Sequence, residues 1–468
     1  MTSIALTPDS PPSRRHGIGF WAVAFAFVTV LAYNAMPAPL YGLYQQRDGF
    51  SSFMLTVIFA AYAVGVVISL FCVGHLSDWH GRRRLFVPSL LTCMISAGVF
   101  LTWRALPGLI VGRFIGGLAV GMVTATATAW IAELHRAAHP GRPPRRAQVV
   151  STAANLGGIG TGPLVAGILA EWVASPLTVP YVVALVTMAI ALVCVLASPE
   201  TRDPLVPRPA WRPQRVAVPP DAIARYIASG IGAGISFAVF GLFTSLAPAF
   251  LSGPLHHSSL ALAGATAFAV FAAAVVSQSL IRTQSPRPIV AAGILVMVAG
   301  LAVLVVSVWL SAPSLVMFLV GGVITGAGAG ALFKGVVAMV AIDAPADRRA
   351  EALAGMFLAG YIGLSLPVMA LGVMTQYLSP RLSLLIFATA LTAGVAIVTP
   401  RLLIGDSPEP AGQHPVRSRR RRGQTAATQS HPLRRQTVAG SNLHSSAPAT
   451  NSRDERNQHS SYQVPKPQ

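Results

Sequence analysis

Twelve apolar runs, each close to the length of a bilayer crossing, take up most of this 468-residue chain. They lie at about 18–40, 52–73, 85–103, 108–132, 148–170, 179–198, 223–250, 259–281, 288–310, 314–341, 352–374 and 381–400, and Pro, Gly or charge breaks the chain between them. A helix needs roughly 20 apolar residues to cross a hydrocarbon core of about 30 Å. Hydrocarbon offers the backbone no hydrogen-bond partner, so each run must satisfy its own N–H and C=O groups as a helix. With only 10% of residues charged, against about 25% in soluble chains, the expectation is an all-α integral membrane protein with twelve transmembrane helices.

Charge position supports the count. The loops that alternate with those holding Arg47, Arg104 and Arg381 are the arginine-rich ones: Arg82, Arg83 and Arg84, then Arg136, Arg142, Arg145 and Arg146, then Arg202, Arg208, Arg212 and Arg215, then Arg282 with Arg287, and Arg348 with Arg349. Basic loops resist translocation, which predicts that these loops and both termini are cytoplasmic. Of 34 basic residues only Lys334 and Lys466 are lysines, and the net charge of +19 recurs between spans and in the tail. That pattern is one of topology and genome composition, and it makes nucleic acid no partner. Cys72, Cys93 and Cys194 all fall in apolar runs without metal-ligand spacing, so neither a disulfide framework nor a metal site is expected. The first run is too long for the apolar part of a cleaved secretion signal.

An internal repeat sets the architecture. GGLAVG at 116–121 recurs as GGVITG at 321–326, and Arg145-Arg146-Ala147 recurs as Arg348-Arg349-Ala350. GPLVAG at 162–167 has its counterpart near 366–371, and Arg82 falls on Arg287. Matches in one order at nearly one offset predict two pseudo-symmetric six-helix halves. The expected organisation is a cytoplasmic N-terminus (1–16), a first half (17–200), a Pro-rich cytoplasmic linker (201–222), a second half (223–400) and a disordered basic tail (401–468). The tail, with RSRRRR at 417–422, is a candidate for anionic lipid headgroups, though it equally fits a segment that follows composition and topology.

The hinge GHLSDWHGRRR at 74–84 carries a resemblance. Gly74, Leu76, Ser77, Asp78, Gly81, Arg82 and Arg83 resemble the signature loop of the major facilitator superfamily, with Trp79 where the family usually has a basic residue. Arg113, Gly117 and Gly121 of span 4 resemble its Arg-containing signature. Gly158, Gly162, Pro163 and Gly167 of span 5 resemble its Gly-Pro signature, and PETR at 199–202 follows span 6 as in many members. The resemblance covers about 18–400 and implies transport by rocking of two halves about a midplane site.

By that resemblance Asp78 sits at the N-terminus of span 11 and Arg82 pairs with an acid at the inner end of span 4, where Glu133 is the candidate. Gly74, Asp78, Gly81, Arg82 and Glu133 are thus expected to form an inner latch between the halves, or else a plain topology signal. Since Thr283 stands at the second-half counterpart of Asp78, the latch should be one-sided. Arg113 and Lys334 are charges within spans, which is costly unless they face a cavity, a partner or the headgroups. They are candidates for substrate or proton coupling, the alternative being side chains that snorkel to a membrane surface. Asn34, Asn155, Gln278, Tyr361 and Ser365 are softer polar candidates, each equally explained by a helix-packing hydrogen bond. Gly117, Gly121, Gly158, Gly162 and Gly167 are expected to let helices pack, and Pro163 and Pro367, with Pro37 and Pro39, to kink them.

No Asp or Glu lies mid-span, so the sequence shows no proton site beyond Glu133 as a default. Walker loops, hydrolytic constellations and cofactor motifs are absent from the sequence. The expectation is a non-enzymatic, cofactor-free monomeric carrier of the bacterial inner membrane, driven by a proton or other ion gradient. Its first reading is proton-coupled efflux of a small molecule, because span 5 resembles exporters. Uptake of a sugar or organic acid, favoured by PETR, is second, and a non-transporting sensor on the same fold is third.

Overall fold

Every apolar run is helical in the computed structural model, which describes residues 14–73, 76–202, 211–214, 216, 218, 222–283, 285–345 and 348–404. The helices of the first half are α1 (Arg14–Ala35), α2 (Tyr41–Asp48), α3 (Ser52–Cys72), α4 (Ser77–His80), α5 (Arg82–Thr102), α6 (Leu106–Ala138), α7 (Arg145–Trp172) and α8 (Val179–Ala197). Those of the second are α9 (Ile223–Ser245), α10 (Ala247–Ser252), α11 (Leu260–Leu280), α12 (Pro286–Trp309), α13 (Leu315–Asp343), α14 (Arg349–Tyr377) and α15 (Pro380–Leu403). Among the described residues twelve helices are long and apolar enough to cross a membrane; the short α2, α4 and α10 are not among them. The first residues of the expected tail continue α15 to Leu403; the tail beyond 404, most of the expected linker (203–210, 215, 217 and 219–221) and the expected N-terminal segment up to Ser13 lie outside the described residues.

Two helix ends depart from the sequence reading. Pro37 and Pro39 do not kink a longer helix: α1 stops at Ala35, and Leu40 N donates to Pro37 O (3.0 Å) in a turn that leads into α2. Proline lacks the N–H that would continue the ladder, so two in three residues end the helix. The run at 223–250 likewise breaks at Leu246 before Pro248 and resumes as α10.

Each half buries its own apolar cluster. Trp130, Phe27, Phe86 and Phe100 lie in one, and Phe243, Phe250, Phe271 and Phe318 in the other. The clusters interlock through two leucines: Leu156 of α7 joins the second-half cluster and Leu364 of α14 joins the first. The apolar residues left exposed, such as Ile95, Val193, Leu295 and Ile397, lie on the spans, where lipid would cover them.

Packing within and between halves relies on small residues. Gly117 and Gly121 lie against the backbone of α3 at Tyr62 and Val66, and Gly158 and Gly162 lie against α1 at Val28 and Ala32. At Gly162 a methyl group would overlap the Ala32 carbonyl, so the close crossing of α7 on α1 requires glycine. The halves meet along α7 and α11, where Gly167 abuts the Leu260 carbonyl and Gly264 abuts that of Pro163. They also meet where Thr56 of α3 touches Gly372 of α14. Beyond Gly167, Glu171 Oε2 accepts from Leu260 N at 2.7 Å, joining the end of α7 to the start of α11.

Candidate functional site: a cavity between the halves

Between the halves lies a cavity of about 160 Å³. The first half contributes Asn34, Phe59, Tyr62, Arg113, Thr124, Thr152 and Asn155 to its lining, and the second contributes Phe237, Phe240, Phe271, Gln278, Phe333, Phe357 and Tyr361. The rings form a connected set, because Phe237 packs edge-on against Phe333 (5.1 Å) and Tyr361 (5.6 Å), and Phe240 stacks on Phe271 (4.9 Å).

Arg113 is the charged residue of this lining. It is 4% exposed, and its guanidinium lies over the rings of Tyr62 (4.5 Å) and Phe59 (5.5 Å). Such stacking stabilises a desolvated cation by about 2 kcal/mol. Nη1 donates to the backbone carbonyl of Asn34 and the guanidinium also faces the Tyr41 side chain, while Nε is buried with no acceptor in hydrogen-bond geometry. The Asn34 amide is occupied in turn, donating to Val30 O at 2.8 Å and lying 3.4 Å from Cys93 Sγ. Snorkelling is therefore the wrong reading of Arg113, for the side chain turns into the protein.

A second cavity, of about 780 Å³, opens on the arginine-rich face between the first turns of α7 and the last turns of α11. Thr152 and Gln278 line both this cavity and the central one. Arg145, Arg282, Thr283 and Lys334 surround it. Lys334 is thus not a central-cavity residue: its Nζ donates to Gln278 O (2.5 Å) and Ile281 O (3.1 Å), the orphan carbonyls at the end of α11. On the opposite face a third cavity of about 820 Å³ is lined by Tyr41, Gln45, Glu171 and His257. Ala38 lines both it and the central one.

The hinge residues assemble at the arginine-rich end of the first half. Gly81 has φ +102°, a conformation that favours glycine, and a Cβ there would lie 2.9 Å from Glu200 Oε2. Arg82 grips Glu133 through Nη2 (2.8 Å) and Nε (3.2 Å) and reaches Ser77 Oγ through Nη1 (2.8 Å). Thr201 Oγ1 donates to Glu133 Oε2 at 2.6 Å. Glu200 Oε1 and Oε2 accept from the backbone N–H of Arg82 and Arg83, both at 2.9 Å, and Pro199 O accepts from Trp130 Nε1.

The expected Arg82–Glu133 pair is present, and it lies within the first half, where it braces α5, α6 and the residues after α8. The crossing between halves in the expected latch rests on Asp78. Gly74 and the Asp78 side chain lie outside the described residues. In the second half Arg225 pairs with Asp343 through two contacts (2.6 and 2.7 Å), which joins α9 to α13 at the corresponding end. Sequence reasoning missed Glu200, Thr201, Arg225, Asp343 and the ring cluster. The PETR run was the one visible signal.

The remaining polar candidates divide. Asn34, Asn155, Gln278 and Tyr361 line the central cavity; Ser365 does not, and its buried hydroxyl finds no partner. Pro163 and Pro367 sit inside α7 and α14, Pro163 at the seam with α11.

The family model of the Major Facilitator Superfamily matches residues 20–311 and 230–447. The chain belongs to that superfamily. The superfamily member most informative by name is the arabinose-proton symporter of Bacillus subtilis (strain 168), 30% identical over 137 residues. The match spans 28% of this chain and 30% of that protein. An uncharacterized MFS-type transporter, YfkF, of the same organism is 33% identical over 115 residues, 23% of this chain and 29% of its own length. The chain thus matches under a third of either relative. Among solved structures, the human organic anion transporter MFSD10 (TETRAN) has the same fold, with a TM-score of 0.60 at 18% identity, covering 84% of this chain and 100% of that one. The protein is a multi-pass membrane protein of this superfamily.

Proposed function

We propose that the protein exports a small amphiphilic organic compound across the inner membrane of a bacterium by alternating access, powered by the proton motive force. The observation that supports this reading is a cavity between the halves with one buried guanidinium and a set of aromatic rings. Assigning the arginine-rich face to the cytoplasm follows the positive-inside rule, and the 780 Å³ opening then receives substrate from inside. The seam of Gly167, Gly264 and Glu171 serves as the outer barrier, and the braces at Arg82 and Arg225 keep each half rigid while it rocks. The carrier acts as a monomer without a cofactor, and its basic tail lies against anionic headgroups.

Proton-coupled uptake is the second reading, favoured by the stretch shared with a protein named an arabinose-proton symporter. Direction separates the two. Deleting the gene should raise the cell content of an exporter's substrate and lower that of an importer's. A lowered content on deletion would reject export.

A further inference from the structure

The two walls of the central cavity differ in chemistry, and the difference selects a class of substrate. Hydrogen-bonding groups cluster on the first half, at Asn34, Arg113, Thr124, Thr152 and Asn155. The second half faces them with five phenylalanines, Phe237, Phe240, Phe271, Phe333 and Phe357, and with fewer polar groups, Thr244, Gln278 and Tyr361. Among the described lining residues Arg113 alone is charged and none is Asp or Glu. Two buried side-chain atoms of the lining find no partner, Arg113 Nε and Gln278 Nε2, and both are N–H donors. An uncompensated donor on a buried cation is costly, and a ligand that brings an anionic acceptor removes the cost.

We infer that the substrate is an amphiphilic monoanion, its single acidic group bound to Arg113 and its flat apolar body lying among the second-half rings. The inference deepens the export reading and rests on it, since the cavity is the same. Charge balance sets the number of acidic groups at one, because a second would stay unpaired in a low-dielectric site. A cation meets Arg113 and no carboxylate. A neutral polyol would leave the Arg113 charge without a counter-ion. The rings that line the cavity suit a planar aromatic body, which packs on them offset or edge-on.

The test uses the full chain purified in detergent and three probes that share a naphthalene body: 1-naphthoate, 1-naphthamide and 1-naphthylmethylammonium. Isothermal titration at pH 7 should rank the anion first by about tenfold or more over the amide, with the amine weakest. Arg113→Gln should bring the anion and the amide to within about twofold of each other. Where that variant does not fold, Arg113→Lys keeps the charge and should retain the anion preference with weaker binding. Equal or tighter binding of the amide or amine, binding of none of the three at millimolar concentration, or an anion preference that survives Arg113→Gln overturns the inference. Anion preference without any anion flux would remove the export reading and leave the site. Flux of the amine but not the anion would do the reverse.

Discussion

Glu200 caps α5: its two carboxylate oxygens each accept a backbone N–H, from Arg82 and from Arg83, at 2.9 Å. The residue that closes this helix N-terminus is thus 118 positions from Arg82 in sequence. An anion there meets both the unsatisfied donors and the positive end of the helix dipole. Glu200→Ala should lower stability by about 1 kcal/mol, the usual cost of a lost cap, and Glu200→Gln by less. Thermal unfolding followed by tryptophan fluorescence checks both, and an unchanged transition for Glu200→Ala would refute the capping role.

Arg82 and Glu133 form a bidentate pair whose side chains are 5% and 18% exposed. With water largely excluded, a double-mutant cycle of Arg82→Ala and Glu133→Ala should give a coupling of about 1–3 kcal/mol. A coupling near zero would make the pair ornamental. Both single variants should lower stability, because the pair braces α5 against α6 within one half.

The balance between inward- and outward-facing forms should respond to Gly167, which meets the Leu260 carbonyl across the halves. Gly167→Leu should wedge α7 from α11 and open the outer seam. The readout is thiol labelling of Ala263→Cys, with Cys72, Cys93 and Cys194 replaced by Ser. Ala263 is 4% exposed and lines the outer cavity, so its labelling should rise in the wedge variant. Unchanged labelling would mean that this seam is not the barrier.

Lys334 and Arg113 should separate cleanly. Lys334→Met removes the donor that satisfies Gln278 O and Ile281 O at the end of α11, at a cost of about 0.3–1 kcal/mol. It should leave the anion preference unchanged in the titration that Arg113→Gln alters. Loss of that preference in Lys334→Met would return lysine to the binding machinery.

Hydrophobic periodicity and loop charge made the twelve crossings legible, since both follow from the cost of polar groups in hydrocarbon. Arg113 was legible as a charge in a span, but its direction was not: whether a guanidinium snorkels or turns inward depends on Tyr62 and Phe59, which belong to another helix. Lys334 shows the converse, for its partners are carbonyls of α11 and backbone acceptors leave no mark in a sequence. The Arg82–Glu133 pair was read from resemblance, but not its closure by Thr201 and Glu200, which depends on where the chain runs after α8. The phenylalanines looked like ordinary apolar positions until five of them met on one wall.

The most direct test of the account is flux of the anion under an imposed potential. Everted vesicles carrying the protein, at equal pH on both sides, would receive labelled 1-naphthoate while a potassium gradient with valinomycin makes the lumen positive. The anion's own charge moving through 100 mV gains about 2.3 kcal/mol, which corresponds to roughly 50-fold accumulation at equilibrium, and each proton exchanged for it multiplies that by about the same factor. The account predicts lumenal accumulation that grows with the potential, relative to vesicles lacking the protein, and that Arg113→Gln abolishes. Accumulation indifferent to the potential and to Arg113, or none above the empty vesicles, would contradict it.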